Sequence, residues 1–150
     1  MTDNKQLAGK CGVYCGSCPV YRSYKDKDEK ALLSTAISTR CTLDLINCDG
    51  CGSEQRFVLS KRCAIRKCAI EKGVDACALC KEYPCDSISL FYDDGIISVK
   101  QPELNSARIK EIGLNRWLEE IDKGSRCKNC GRHLIIGSRE CPECGEPYNK

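Results

Sequence analysis

The sequence predicts a small α-rich (α+β) fold with little regular sheet, stapled at its cysteines and followed by a small β-ribbon. Three observations lead there. The chain has 150 residues and 15 cysteines, a tenth of the total. Aromatic residues make up 6%, with one Trp and two Phe, and the mean hydropathy is −0.41. Apolar residues recur at helical spacing in several short segments, whereas two Cys-x-x-Cys pairs close the chain. So few large apolar side chains cannot build a core that holds 150 residues alone, and small domains in that position need disulfides, metals or association.

The elements follow in chain order. Residues 1–10 read as a disordered, polar leader. Met1 to Lys10 has no apolar stretch of the signal-peptide kind. In Cys11-Gly-Val-Tyr-Cys15-Gly-Ser-Cys18-Pro19, Gly and Pro keep the chain turned, and Pro19 suits the first position of a helix through Val20 and Tyr24. The charged run Lys25 to Lys30 reads as a solvated connection to a short helix over Glu29 to Thr39. Cys41 to Ser53 is a loop carrying Cys48-Asp-Gly-Cys51-Gly. Val58, Ile65 and Ala69 place an apolar face on a helix from Phe57 to Lys72, with Gly73 as its C-terminal cap.

After Cys77-Ala-Leu-Cys80-Lys-Glu-Tyr-Pro84-Cys85, a short helix is expected over Asp86 to Tyr92, stopped by the turn Asp93-Asp94-Gly95. Pro102 to Lys123 is helical and broken at Gly113. There Leu114, Trp117, Leu118 and Ile121 form an i, i+3, i+4, i+7 stripe. Gly124 ends it. Leu134, Ile135 and Ile136 are strand material between the two final cysteine pairs. A boundary near Gly124 gives two modules, 11–123 (helices and loops) and 125–150 (a β-ribbon).

Cysteine so dense is a disulfide framework or a set of metal ligands, and the compartment decides between them. With no leader peptide and no apolar run long enough to span a bilayer, the chain is expected in the cytoplasm, off the membrane, with reduced thiols. The cysteines then read as ligands, and zinc, which takes four thiolates in closed structural sites, is the expected metal. Each tetrathiolate zinc carries net negative charge, so three would turn the formal +3 into about −3. The weakly basic pI is no argument for a nucleic-acid partner.

Cys127-x-x-Cys130-Gly and Cys141-x-x-Cys144-Gly, ten residues apart, match a zinc ribbon. Each pair sits on a tight turn that aims two sulfurs at one ion. Gly131 and Gly145 allow the left-handed backbone such a turn needs. Backbone N–H groups after the first cysteine of each pair are expected to stabilise the thiolates.

Eleven cysteines lie upstream. Close pairs nucleate sites, so Cys15/Cys18, Cys48/Cys51 and Cys77/Cys80 are the primary ligands, with Cys63, Cys68 and Cys85 as completing members. Cys41 lacks a near partner and reads as a spare, and Cys11 is ambiguous. Two four-thiolate sites here and one in the ribbon give about three zinc ions. One [4Fe–4S] cluster in the N-terminal module is the alternative, since it also takes four thiolates. Cys11-x3-Cys15-x2-Cys18 has the spacing of radical S-adenosylmethionine enzymes, but their large α/β barrel does not fit in this length.

His133, the one histidine, lies between two pairs that already supply four ligands, so it reads as a hairpin residue. The basic segment 54–72 reads as cations offsetting thiolates ahead of a phosphate site. The sequence holds no Gly-rich phosphate loop, dinucleotide fingerprint, His-Glu-x-x-His or Gly-x-Ser-x-Gly, so no catalytic residue is nominated.

The quoted segments, together with Cys63-Ala-Ile-Arg-Lys-Cys68-Ala-Ile-Glu-Lys-Gly, resemble the domain of unknown function 3795 family, cysteine-rich prokaryotic proteins taken to bind zinc. Arg108-Ile-Lys-Glu-Ile-Gly-Leu-Asn-Arg-Trp-Leu-Glu-Glu followed by a ribbon is similar to members with a C-terminal zinc ribbon. The resemblance runs over roughly 11–147. It implies metal ligands at Cys15, Cys18, Cys48, Cys51, Cys63, Cys68, Cys77, Cys80 and Cys85, leaves Cys41 outside the pattern and brings no activity. The expected function is a non-enzymatic binding or adaptor scaffold that docks a macromolecule through its ribbon, protein before nucleic acid. An iron–sulfur or thiol redox protein and a nucleic-acid-binding zinc protein are the alternatives.

Overall fold

A computed structural model describes residues 4–94 and 100–148. Six α-helices carry it: α1 (Pro19–Asp26), α2 (Glu29–Thr39), α3 (Ala64–Glu71), α4 (Asp86–Asp93), α5 (Gln101–Ile112) and α6 (Leu114–Gly124). Single 3-10 turns at Asn4–Leu7, Cys15–Ser17, Leu43–Leu45, Val58–Ser60 and Cys77–Leu79 link them. Among the described residues the β-structure consists of isolated bridges: Ala8 with Tyr14, Arg126 with His133, and Glu140 with Pro147.

Local signals set most helix ends. Pro19 opens α1, and Lys27 closes it in the left-handed region at φ 52°. Asp28 then caps α2 by accepting from the Ala31 N–H at 3.1 Å. The charged connection therefore shrinks to Lys27 and Asp28. Gly73 closes α3: its N–H donates to the Ile70 carbonyl and that of Val74 to Ala69, two bonds that satisfy the last carbonyls.

The core gathers on α6. Leu114, Trp117 and Leu118 are buried there, with Leu7, Ala8, Tyr14, Tyr21, Ala76, Ala78 and Ile109 around them. Trp117 meets Tyr14 edge to face at 6.1 Å. On α5 the inward positions include Asn105 and Ser106, buried polar residues with partners. Asn105 Nδ2 donates to the Gly12 carbonyl at 2.8 Å, and Ser106 Oγ accepts from Tyr92 Oη at 2.7 Å. A smaller apolar group of Val20, Ala36 and Ile46 lies between α1 and α2.

Three expectations are corrected. Residues 4–10 are no disordered leader. Asn4–Leu7 forms a turn, Leu7 and Ala8 are buried, and Gln6 accepts from the Gly52 N–H; residues 1–3 lie outside the described set. The helix expected from Phe57 starts at Ala64, because Cys63 is extended and Val58 and Leu59 stay exposed, with no core to hold a longer helix. Leu134 to Ile136 do not build a ribbon of paired strands. Leu134 is buried and its N–H donates to Ser125, while the Ile136 N–H donates to Ser17 in the upstream module.

The turn expected at Asp93-Asp94-Gly95 reaches partly outside the described residues.

Candidate metal centre

Cys127, Cys130, Cys141 and Cys144 bring their sulfurs within 4.8 Å of one another. Cys127 Sγ lies 3.6 Å from Cys144 Sγ, and Cys130 Sγ 3.6 Å from Cys141 Sγ. Zinc–sulfur bonds of about 2.3 Å in a tetrahedron put the sulfurs about 3.8 Å apart. The cage therefore fits a single tetrathiolate ion.

Two copies of one turn build it. The Gly131 N–H donates to the Cys127 carbonyl, and the Gly145 N–H to the Cys141 carbonyl, both at 2.9 Å. The Cys127 N–H donates to Arg132 and the Cys141 N–H to Glu146. Both glycines are left-handed, at φ 77° and 71°. The bridges Arg126–His133 and Glu140–Pro147 occupy matching places. Each turn thus contributes one buried sulfur (Cys127, Cys141) and one exposed sulfur (Cys130, Cys144). The repeat is visible in the sequence as Arg-Cys-x-x-Cys-Gly-Arg against Glu-Cys-x-x-Cys-Gly-Glu, like-charged residues flanking each of the two Cys-x-x-Cys-Gly turns.

Backbone hydrogen bonds reach the second cysteine of each pair. They come from the backbone of Arg132 to Cys130 and of Glu146 to Cys144, two residues after the second cysteine of each pair. The left-handed glycine turns that N–H back onto the sulfur. Cys144 is held down to about 6 by the Glu146 N–H, the Asn129 side chain and the neighbouring thiols. Cys130 also accepts from Arg132, which favours its thiolate, but desolvation and the three other sulfurs push it up to about 12.

The cage is tied to the upstream module at Asp122 of α6. Its Oδ1 accepts from Tyr14 Oη at 3.0 Å and faces His133 Nε2 at 3.1 Å, while its Oδ2 accepts from Arg126 Nε at 3.0 Å. Arg132 pairs with Glu143 at 2.7 Å and reaches Asp26 and Asp28 at 3.8 and 3.9 Å. His133 is therefore half-buried in this network and no ligand. An open cleft of about 450 Å³ beside Cys130 is lined by the same charged side chains.

Among the described residues no three of the upstream cysteines meet the 4.8 Å spacing of the C-terminal cage. None of the fifteen is in a disulfide. Burial is the main force raising the thiols of Cys11 (to about 12), Cys15, Cys18 and Cys77 (to about 11). Cys41, the expected spare, donates to the Thr39 carbonyl and packs on Val20, Ala36 and Ile46. Part of the basic segment is used internally. Arg66 Nε donates to the Cys51 carbonyl, Arg56 to that of Ser53, and Lys72 pairs with Glu82.

No helix among the described residues is long and apolar enough to cross a membrane. No curated protein and no solved structure matches the chain. A family model described as Protein of unknown function (DUF3795) matches residues 7–90, which takes in all eleven upstream cysteines and stops short of α5, α6 and the C-terminal cage. Over that span, more than half its length, the chain belongs to the DUF3795 family.

Proposed function

We propose that this protein is a metal–thiolate scaffold, a non-enzymatic binding or adaptor protein whose C-terminal cage holds zinc. The observation that carries the reading is the cage itself, four sulfurs at tetrahedral spacing on two like turns. About three four-thiolate sites along the chain account for twelve of the fifteen cysteines. The thiols, all outside disulfides, suit a reducing compartment such as the cytoplasm.

The adaptor role is supported by how the other chemistry-bearing side chains are used. Asp122, His133, Arg126 and Arg132 are engaged with one another or with Asp26 and Asp28. The first turn of the cage thereby engages Arg126 and Arg132 within the molecule and leaves Lys128 exposed, while Glu140 and Glu146 of the second turn are exposed. A protein partner suits that outer face better than a nucleic acid, which is gripped by free cations.

Elemental analysis of protein purified without chelator and without oxygen tests the metal reading, with about three metal equivalents expected. Cobalt substitution should give the tetrathiolate charge-transfer and d–d bands for the cage. A chain carrying no zinc, or unchanged in circular dichroism and melting after strong chelation, contradicts it. Salt-dependent retention on nucleic acid at near-physiological ionic strength would favour the nucleic-acid reading. Stoichiometric iron and sulfide would favour the iron–sulfur reading, which draws on the wider spacing of the upstream sulfurs.

A further inference from the structure

We infer that Cys15, Cys18, Cys48 and Cys51 form one four-thiolate metal site and Cys68, Cys77, Cys80 and Cys85 a second, with Cys11, Cys41 and Cys63 outside both. The assignment rests on the metal-binding reading above and says which thiols share an ion.

The first set is built by two turns facing each other. Cys15–Ser17 is one 3-10 turn, closed by the Cys18 N–H on the Cys15 carbonyl at 3.0 Å. Cys18 caps α1, and its sulfur accepts from the backbone of Tyr21 and Val20, the free N–H groups of the helix start. Opposite lies the Cys48–Cys51 loop. Gly50 is left-handed at φ 102°, and a Cβ there would stand 2.5 Å from the Gln6 carbonyl. The Gly52 N–H donates to that same carbonyl, and Asp49 pairs with Lys25 of α1. So clamped, the loop delivers a backbone hydrogen bond from Cys51 to the Cys15 sulfur. Cys18 and Cys48 pack on the same apolar group of Val20, Ala36 and Ile46. Cys51, Cys18 and Cys48 each act electrostatically on Cys15, in keeping with this grouping.

The second set repeats the device. Cys77–Leu79 is the same 3-10 turn, closed by the Cys80 N–H on the Cys77 carbonyl at 2.9 Å. The backbone at Cys80 (−74°, 142°) copies that at Cys18 (−66°, 133°). The Cys77 N–H donates to the Lys10 carbonyl at 2.8 Å, which anchors the turn to the N-terminal segment. Cys85 caps α4 as Cys18 caps α1, and Cys68 comes from α3. Lys72, at the end of α3, pairs with Glu82 in the Cys80–Cys85 loop, which brings Cys68 toward this turn, and Cys85, Cys68 and Cys80 each act on Cys77. Lys10 acts on Cys77, and Cys80 and Cys68 act on Lys72, so two cations border this set.

The remaining thiols have other positions. Cys41 is accounted for by Thr39 and its apolar contacts. Cys11 feels Cys51, Cys63 and Cys77, drawn from both sets and from the exposed N-cap of α3, and so lies between the sites. Cys63, counted a ligand from sequence, falls outside. Four-coordination is already satisfied in each set without these three. A zinc ion and a [4Fe–4S] cluster both take four thiolates.

Metal, iron and sulfide counts on full-length, anaerobically purified variants test the grouping, with the C-terminal cage as internal reference. Cys18→Ser and Cys80→Ser should each empty one upstream site. Cys18→Ser with Cys48→Ser should empty no more than Cys18→Ser alone, whereas Cys18→Ser with Cys80→Ser should empty two. Cys11→Ser, Cys41→Ser and Cys63→Ser should leave the count unchanged. Where serine variants fail to fold, histidine keeps a ligand. In cobalt-loaded or cluster-loaded protein, Cys18→His with Cys48→His should alter one site's spectrum, and Cys18→His with Cys80→His two. One site lost or altered in the cross-set pair, or a site emptied by Cys63→Ser, overturns the grouping. A wild-type chain with metal in the C-terminal cage alone overturns the multi-site reading itself, a separate result. Zinc alone identifies single-ion sites, and iron with equal sulfide identifies clusters; both support the grouping.

Discussion

Asp122 gathers donors from three stretches of chain: Tyr14, Arg126 and His133. Arg126, Tyr14 and His133 outweigh its desolvation and hold its carboxyl below the usual carboxylate range. Removing the acceptor strands Tyr14 Oη, leaves Arg126 without its counter-charge and takes the hydrogen-bond partner from the His133 ring. Asp122→Ala should therefore cost about 1–3 kcal/mol, read as a lower denaturant midpoint at unchanged slope. His133 adds a pH response. Burial first, and then Arg22 and Arg126, lower its pKa from 6.5, against the opposing pull of Asp122. A depressed folded value means that the stability associated with the neutral ring is present above 6.5 and is lost as pH falls through the folded value. Between about pH 7 and pH 5 the wild type should lose more melting temperature than His133→Gln, acid loss of metal being common to both. Equal losses would show that the ring does not titrate against folding.

At the scale of elements, α6 is the support on which the rest packs. Trp117 is 2% exposed and touches Tyr14 of the first cysteine segment. Trp117→Ala should cost about 3–5 kcal/mol, measured by chemical unfolding of the metal-loaded chain. The turns of the cage respond to backbone geometry in a way that separates two nearby glycines. A Cβ at Gly131 meets nothing within 4 Å, yet its φ of 77° is left-handed. Gly131→Ala should cost about 1–2 kcal/mol through the backbone alone, seen as roughly tenfold weaker metal affinity by competition with a chelator. Gly124, at the end of α6, also has open space and no left-handed backbone. Gly124→Ala should leave affinity unchanged and stability equal or slightly higher.

Over the whole molecule, metal and fold are expected to be linked. The cage segment has a small cluster of Cys127, Leu134 and Cys141 with Tyr148 against it, so on the proposed metal reading much of its folding energy would come from the ion. Chelation should release 125–148 from the upstream module. The Arg132 pairs to Asp26 and Asp28 and the Ile136–Ser17 hydrogen bond hold only while the first turn keeps its shape. Limited proteolysis with and without chelator checks this, with cleavage after Gly124 expected in the stripped protein. The division into 11–123 and 125–150 is a proposal with its own test: a peptide of 125–150 should bind one zinc, and the upstream module should keep its metals without it.

Amino-acid order alone was enough for the helices and the paired cysteines, because their causes lie within a few residues. Pro19 at a helix start, Gly73 after α3 and the glycines behind Cys130 and Cys144 each act on the neighbouring turn of chain. The same locality misled where apolar residues were present without a core to meet, as at Val58, or where strand-forming residues found a partner other than a strand, as at Ile136. Contacts between distant segments decided the rest. The N-terminal turn is held down by the Cys48–Ser53 loop, Asn105 is satisfied by Gly12 across 93 positions, and Tyr14 meets Asp122 across 108. Which thiols face one another belongs to this second class. Spacing brings two sulfurs to a turn, but the packing of the N-terminal segment against the Cys48 loop and the Cys77 turn is a tertiary matter, and a tetrahedral site of the kind proposed needs ligands from chain segments that no local rule connects.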